Sequence, residues 1–118
     1  MTHAIDTHVT NDVAIAAGVL LDGDVVAFPT ETVWGLGALA TDPLAIAKIY
    51  AAKGRPNDNP LIVHVASMDA ALALFTRWPS RDPAETILRS FAPGPITVII
   101  PRPAHLPAEV SAGLPTVG

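Results

Sequence analysis

Lys53-Gly54-Arg55, followed by Asn57 and Asn59, places two cations and two side-chain amides on one short stretch. Such a group suits phosphate: lysine supplies a point charge, arginine a two-pronged fork, and glycine lets the backbone come close. The same residues also fit a solvated helix end, because cations favour helix C-termini. A second candidate is Pro29-Thr30-Glu31-Thr32, where hydroxyls and a carboxylate at a strand end could hold a small polar substrate in the crevice of an α/β sheet. It reads equally as a polar hairpin turn. The third is His64, a lone imidazole in the apolar run Leu61-Ile62-Val63-His64-Val65. It is either a ligand-binding group or a satisfied core histidine.

Other motifs fail on context. His3, His8 and His105 fall in expected tail or loop with no metal-like spacing to His64, so no zinc site is expected. Gly35-Leu36-Gly37-Ala38-Leu39-Ala40 matches the dinucleotide fingerprint by its letters, but that motif must open a helix at once. Here the helix start comes later, at Thr41-Asp42-Pro43. The Walker sequence and the Gly-x-Ser-x-Gly elbow are both absent, which leaves a serine-triad acyl transfer unsupported. The chain has no cysteine, and hence no disulfide framework, thiolate nucleophile or thiolate metal site. That fits a reducing compartment, with the cytoplasm as the expected location.

The elements that must position these groups follow from period and punctuation. Asn11 or Thr10 can cap a helix with apolar positions Val13, Ala17, Leu20 and Leu21, and Gly23 can end it. Val25-Val26-Ala27-Phe28 reads as a buried strand closed by Pro29, with Val33 to Ala40 as a second strand whose Gly35 and Gly37 allow close approach. Asp42 is the expected N-cap of the next helix and Pro43 its first residue. Ile46, Ile49 and Tyr50 face one way, and Gly54 stops the helix. Residues 55–60 are too rich in turn formers to be anything but loop. The run 61–65 is an expected central strand. Ser67 caps a short helix through Phe75, and Asp82-Pro83 with Glu85 starts another through Phe91. Pro93-Gly94-Pro95 breaks that helix, Ile96 to Ile100 is a further strand, and Pro101 to Pro107 is a connection.

Strands alternating with helices predict an α/β domain with its sheet covered on at least one face. At 118 residues the chain is expected to be one domain. Hydrophobic residues make up 50% and aromatic residues only 5%, so the core should be built from Ala, Val, Leu and Ile. The formal charge of -4 argues against a surface devoted to nucleic acid, although a local basic groove stays open. Residues 1–11 lack the basic flank and apolar run of a signal peptide, and no stretch approaches the roughly 18 apolar residues of a membrane span. The chain is therefore read as soluble, with no membrane partner. Thr116-Val117 looks like the start of a strand, so a fragment or natural truncation of a longer domain is expected.

Three segments together carry a resemblance. Phe28-Pro29-Thr30-Glu31-Thr32-Val33-Trp34-Gly35-Leu36-Gly37, then Lys53-Gly54-Arg55-Pro56 with Asn59-Pro60-Leu61-Ile62-Val63-His64-Val65, then Pro93-Gly94-Pro95-Ile96-Thr97, resemble the YrdC-like family of threonylcarbamoyl-AMP synthases in residues, order and spacing. The resemblance implies a three-layer α/β fold around a twisted mixed sheet with a wide concave face, here an incomplete single domain over residues 1–118. It also implies a nucleotidyltransferase. Threonine's amino group is carboxylated by bicarbonate, and the carbamate attacks the α-phosphate of ATP to give threonylcarbamoyl-AMP and pyrophosphate. The product then serves threonylcarbamoyladenosine modification of tRNA through a separate transferase.

By the same resemblance, Lys53 and Arg55 correspond to triphosphate contacts and act catalytically by charge. Asn59 and Thr116 join them as nucleotide contacts, and Thr32 with His64 corresponds to the threonine-binding residues. Trp34 stands where the family more often has Tyr, which keeps a pocket wall and loses a phenol hydrogen bond. Mg²⁺ is expected on the phosphates and no metal is expected on the protein itself. Two alternatives belong beside this reading. One is a non-catalytic YrdC-like module for tRNA or double-stranded RNA. The other is a carbamoyl-AMP-forming domain of a larger maturation enzyme.

Overall fold

The computed structural model describes residues 7–54, 56 and 58–118. Helix α1 spans Val13–Leu21, strands β1 and β2 span Val26–Pro29 and Trp34–Gly37, and helix α2 spans Pro43–Lys53. Helices α3 (Met68–Ala73) and α4 (Arg81–Phe91) follow. A short strand β3 (Ile100–Pro101), a 3-10 helix (Ala108–Ser111) and strand β4 (Thr116–Val117) complete the order. The architecture is α/β, as expected. The described strands pair as two antiparallel ladders, β1 with β2 and β3 with β4.

Local chemistry accounts for most helix ends. Asp42 caps α2 by accepting hydrogen bonds at Oδ1 from the amides of Leu44 (3.1 Å) and Ala45 (3.2 Å), with Pro43 behind it. Gly54 closes α2 at φ 61°, a left-handed geometry that costs glycine little. Ser67 caps α3 through a 3.1 Å bond from the Ala70 amide to its Oγ. Two caps differ from expectation. Asp12, rather than Asn11 or Thr10, caps α1, and Thr10 instead accepts at Oγ1 from the Asp12 amide. Helix α4 begins one residue before Asp82, after Ser80. Asp82 therefore sits in the first turn, where a carboxylate still favours the helix dipole.

The core is built from α2 onward. Ile46 and Tyr50 of α2 pack with Ile100, Leu106, Val110 and Val117, and Leu61, Val63, Phe75, Trp78 and Val98 lean on that cluster. Aliphatic residues dominate it, as the composition requires. The aromatic contribution is Tyr50 together with an edge-to-face pair of Phe75 and Trp78, whose ring centroids lie 5.2 Å apart.

Before Ala45 no described residue is buried, which overturns the expectation of a buried first strand. Only Val26 of β1 is half-buried, and Phe28 is 38% exposed. The Phe28 ring lies across β2 instead. A Cβ at Gly37 would stand 2.9 Å from Phe28 Cε1, and one at Gly35 3.2 Å from its Cζ. The two glycines therefore do permit close approach, by a ring rather than by backbone. The molecule measures 51 × 30 × 24 Å.

Two further strand expectations need correction. Residues 61–65 are extended but join no ladder. Leu61 donates to the Val110 carbonyl (3.0 Å) and Val63 to that of Gly118 (2.9 Å), so alternate residues bond on one side only. Leu61 and Val63 are half-buried, whereas Ile62, His64 and Val65 are exposed rather than in the core. Of the expected strand 96–100, only Ile100 enters β3, because Ile100 and Pro101 have partners in Val117 and Thr116.

Candidate functional site

The turn between β1 and β2 is built by Thr30. Its amide donates to the Val33 carbonyl (3.2 Å), its hydroxyl donates to the same carbonyl, and its Oγ1 accepts from the amides of Thr32 (3.3 Å) and Val33 (3.2 Å). One hydroxyl thus satisfies the turn from inside, as serine and threonine do in such loops. Pro29-Thr30-Glu31-Thr32 is accordingly a polar hairpin turn, and it also delivers Glu31 to a cavity.

That cavity, about 410 Å³, falls within the size range of small-molecule sites. Its walls come from distant parts of the chain: Glu31 from the hairpin turn, residues 62–65, Leu74 and Phe75 beside α3, residues 94–98, and Val117 with Gly118. Most of the lining is aliphatic, and its polar side chains are Glu31, His64 and Thr97. The backbone around Thr97 is tight. Ile96 donates to the Gly94 carbonyl at 2.8 Å, and a Cβ at Gly94 would sit 2.5 Å from the Phe91 carbonyl oxygen, so only glycine fits. Thr97 Cγ2 likewise occupies the space that a side chain at Gly118 would need, at 2.9 Å.

His64 projects from the extended run into this cavity and is exposed. Its Nδ1 lies 3.2 Å from the Ile62 carbonyl, an acceptor, so Nδ1 is the nitrogen that carries the proton in this contact. Nε2 is then left for a ligand. Thr32, the other residue matched to threonine binding, is exposed and does not line the cavity. Its hydroxyl is 3.4 Å from that of Thr30. Trp34 is 70% exposed and absent from the lining, which removes its expected place as a pocket wall.

The residues matched to the nucleotide lie on other surfaces. Lys53 is exposed in the last turn of α2 and makes no ion pair among the described residues. Arg55 and Asn57 lie outside the described residues, as does His3. The Asn59 carbonyl accepts from the Tyr50 hydroxyl at 3.1 Å, which ties the loop after α2 to the core. Thr116 is exposed in β4 opposite Pro101, while its neighbour Val117 turns into the core. Among the described residues no group of three His, Cys, Asp or Glu could hold a metal ion. A larger depression of about 710 Å³ lies between α2 and the 3-10 helix. Its walls are mostly alanine and glycine with Tyr50 and Glu109, so it offers little chemistry.

Sequence reasoning passed over Thr97 as a site residue, and it offered the Glu31 carboxylate only as part of the Pro29–Thr32 cluster, without assigning it a contact. Spacing could not choose between Glu31 and Thr32, because neighbouring residues in a tight turn point in different directions.

An α/β fold whose motif segments meet at one cavity now has relatives to compare with. The family described as telomere recombination, comprising the Sua5, YciO and YrdC proteins, matches residues 18–118. A threonylcarbamoyl-AMP synthase of Pyrococcus abyssi is 47% identical over 105 residues, covering 89% of this chain and 30% of that protein. One from Bacillus subtilis is 50% identical over 111 residues, covering 92% of this chain and 32% of the relative. Among solved structures, Pyrococcus abyssi Sua5 in complex with L-threonine superposes with a TM-score of 0.82 at 47% identity, over 89% of this chain and 30% of that one. The protein MTH1692 of Methanobacterium thermoautotrophicum superposes with a TM-score of 0.67 at 29% identity, over 99% of this chain and 55% of that one. The chain belongs to the Sua5/YciO/YrdC family and has the YrdC-like fold. It spans about a third of the length of the two synthases. No described helix is long and apolar enough to cross a membrane.

Proposed function

We propose that the protein supplies the threonine-binding cavity and part of the phosphate-binding surface of a threonylcarbamoyl-AMP synthase. One observation carries the proposal: the hairpin turn, the His64 segment and the Gly94–Thr97 segment, far apart in sequence, close a single cavity of about 410 Å³. L-Threonine is a small zwitterion with a methyl group and a hydroxyl, and a mainly aliphatic cavity with three polar side chains is complementary to it. The complex of Pyrococcus abyssi Sua5 with L-threonine supports the same ligand.

In this reading the neutral amino group of threonine is carboxylated by bicarbonate with loss of water, and the carbamate oxygen displaces pyrophosphate from the α-phosphate of ATP. The protein's part is positioning and charge. His64 holds threonine in the cavity, and Thr32, matched by resemblance to the same role, stands outside the lining on the turn that carries Glu31. Lys53 and Arg55 neutralise charge developing on the phosphates, and Asn59 and Thr116 complete the nucleotide contacts. Mg²⁺ would arrive on the phosphates, where it spreads the developing negative charge. The product would pass to a transferase acting on tRNA. The protein's own balance of seven basic to eleven acidic residues gives a stand-alone RNA-binding reading no support.

Calorimetric titration of L-threonine and of Mg·ATP into the protein and its His64→Leu variant tests the assignment. Because His64 is exposed, the variant should fold normally. Its threonine affinity should fall about tenfold or more, the worth of one charge-assisted contact, while ATP affinity stays unchanged. Wild-type threonine affinity in the variant would remove His64 from the site.

A further inference from the structure

We infer that Glu31 is the residue that selects the ammonium group of the amino acid, and so sets the orientation in which the cavity accepts its ligand. The inference rests on the proposed threonine-binding function and adds to it a residue that neither the family resemblance nor the comparisons assign.

Glu31 sits at the tip of a turn whose backbone is held by the four Thr30 hydrogen bonds, so its position is set by the hairpin and not by its own side chain. Its carboxylate forms no hydrogen bond or ion pair among the described residues. Among the described residues it is the one charged side chain on the cavity wall, facing a lining that is otherwise aliphatic apart from His64 and Thr97. A lone negative charge of this kind repels carboxylate and phosphate and attracts a cation. A divalent metal is a poor fit, because it needs about six oxygen ligands and no described cluster offers even three candidates.

A singly charged group with several N–H donors fits better, since a carboxylate accepts such bonds at both oxygens. In a zwitterionic amino acid that group is the ammonium. It would face Glu31, and the ligand's carboxylate would be turned away from it. The methyl group is left to the aliphatic wall, and the nitrogen has a fixed place, where it gives up a proton before it is carboxylated. Thr32, whose neighbourhood is the Thr30 hydroxyl, then supports the turn, and Glu31 touches the ligand.

The test uses L-threonine and 3-hydroxybutanoate, which keeps the carboxylate and hydroxyl of threonine but lacks its ammonium, titrated calorimetrically into the protein and its Glu31→Gln variant. Glutamine keeps the size and one acceptor oxygen, removes the charge, and turns the second acceptor into a donor. The wild-type protein should bind L-threonine about tenfold or more tightly than the deaminated compound, and the variant should lose that preference while its affinity for the anionic 3-hydroxybutanoate is undiminished or raised. Raising salt should weaken L-threonine binding by the wild type more than by the variant. Undiminished L-threonine affinity in Glu31→Gln overturns the inference while leaving the threonine site standing. Equal loss of both ligands also overturns it, since that pattern marks a change of shape. Failure of the wild-type protein to bind L-threonine overturns both this inference and the function on which it rests.

Discussion

Tyr50 joins the core to the candidate nucleotide loop, and removing its hydroxyl separates the two roles. The ring is 8% exposed and packs in the central cluster, while the hydroxyl lies 3.1 Å from the Asn59 carbonyl and 3.2 Å from that of Glu109. One hydroxyl hydrogen is shared between two acceptors, so Tyr50→Phe removes a single three-centre bond and leaves the ring in place. Both bonds are part-buried and both carbonyls belong to exposed residues, so the loss is set at that of one neutral hydrogen bond. The expected loss is about 1 kcal/mol, a drop in melting temperature of roughly 4 °C for a chain of this size. Tyr50→Ala also removes the ring and should cost about 3 to 5 kcal/mol. Urea unfolding of the three proteins, fitted with a common slope, measures both differences. Equal stability of Tyr50→Phe and wild type would refute the tether. A phenylalanine variant as unstable as the alanine one would refute the division between ring and hydroxyl.

Gly54→Ala should destabilise by about 1 kcal/mol through backbone strain alone, because φ is 61° and nothing stands within 4 Å of the added Cβ. A thermal melt matching wild type would remove the left-handed cap as a stabilising feature. Lys53→Ala should leave the melting temperature unchanged, since the side chain is exposed, and should weaken Mg·ATP binding by about 1.5 to 3 kcal/mol in a direct titration. Arg55→Ala is expected to weaken it similarly, and unchanged ATP affinity in both variants would withdraw the phosphate assignment.

Helix α2 was legible because its signals are local. Asp42, Pro43 and Gly54 each act within one turn of their own backbone, and the spacing of Ile46, Ile49 and Tyr50 needs no partner to be read. The start of α4 was less legible, because Ser80, Arg81 and Asp82 offer competing first positions and the Ser80 cap makes no side-chain bond to decide between them. The strands were legible as extended segments and illegible as sheets. Residues 61–65 carry the apolar, β-branched composition of a central strand, yet what they bond is set by where Val110 and Gly118 lie.

The sequence by itself thus determined the caps of α2 and α3, the aliphatic make-up of the core and the three motif segments, since each depends on neighbours within a few residues. Only the tertiary structure decided that Phe28 lies across two glycines instead of in a core, that Ile62 and Val65 are exposed, and that Glu31 reaches the cavity while Thr32 does not. Side chains of adjacent extended or turn residues face different ways, so a site's membership depends on how a turn is closed and on which distant segment lies opposite. Thr30 closes the turn, and the Gly94–Thr97 segment lies across the cavity some sixty residues further along the chain.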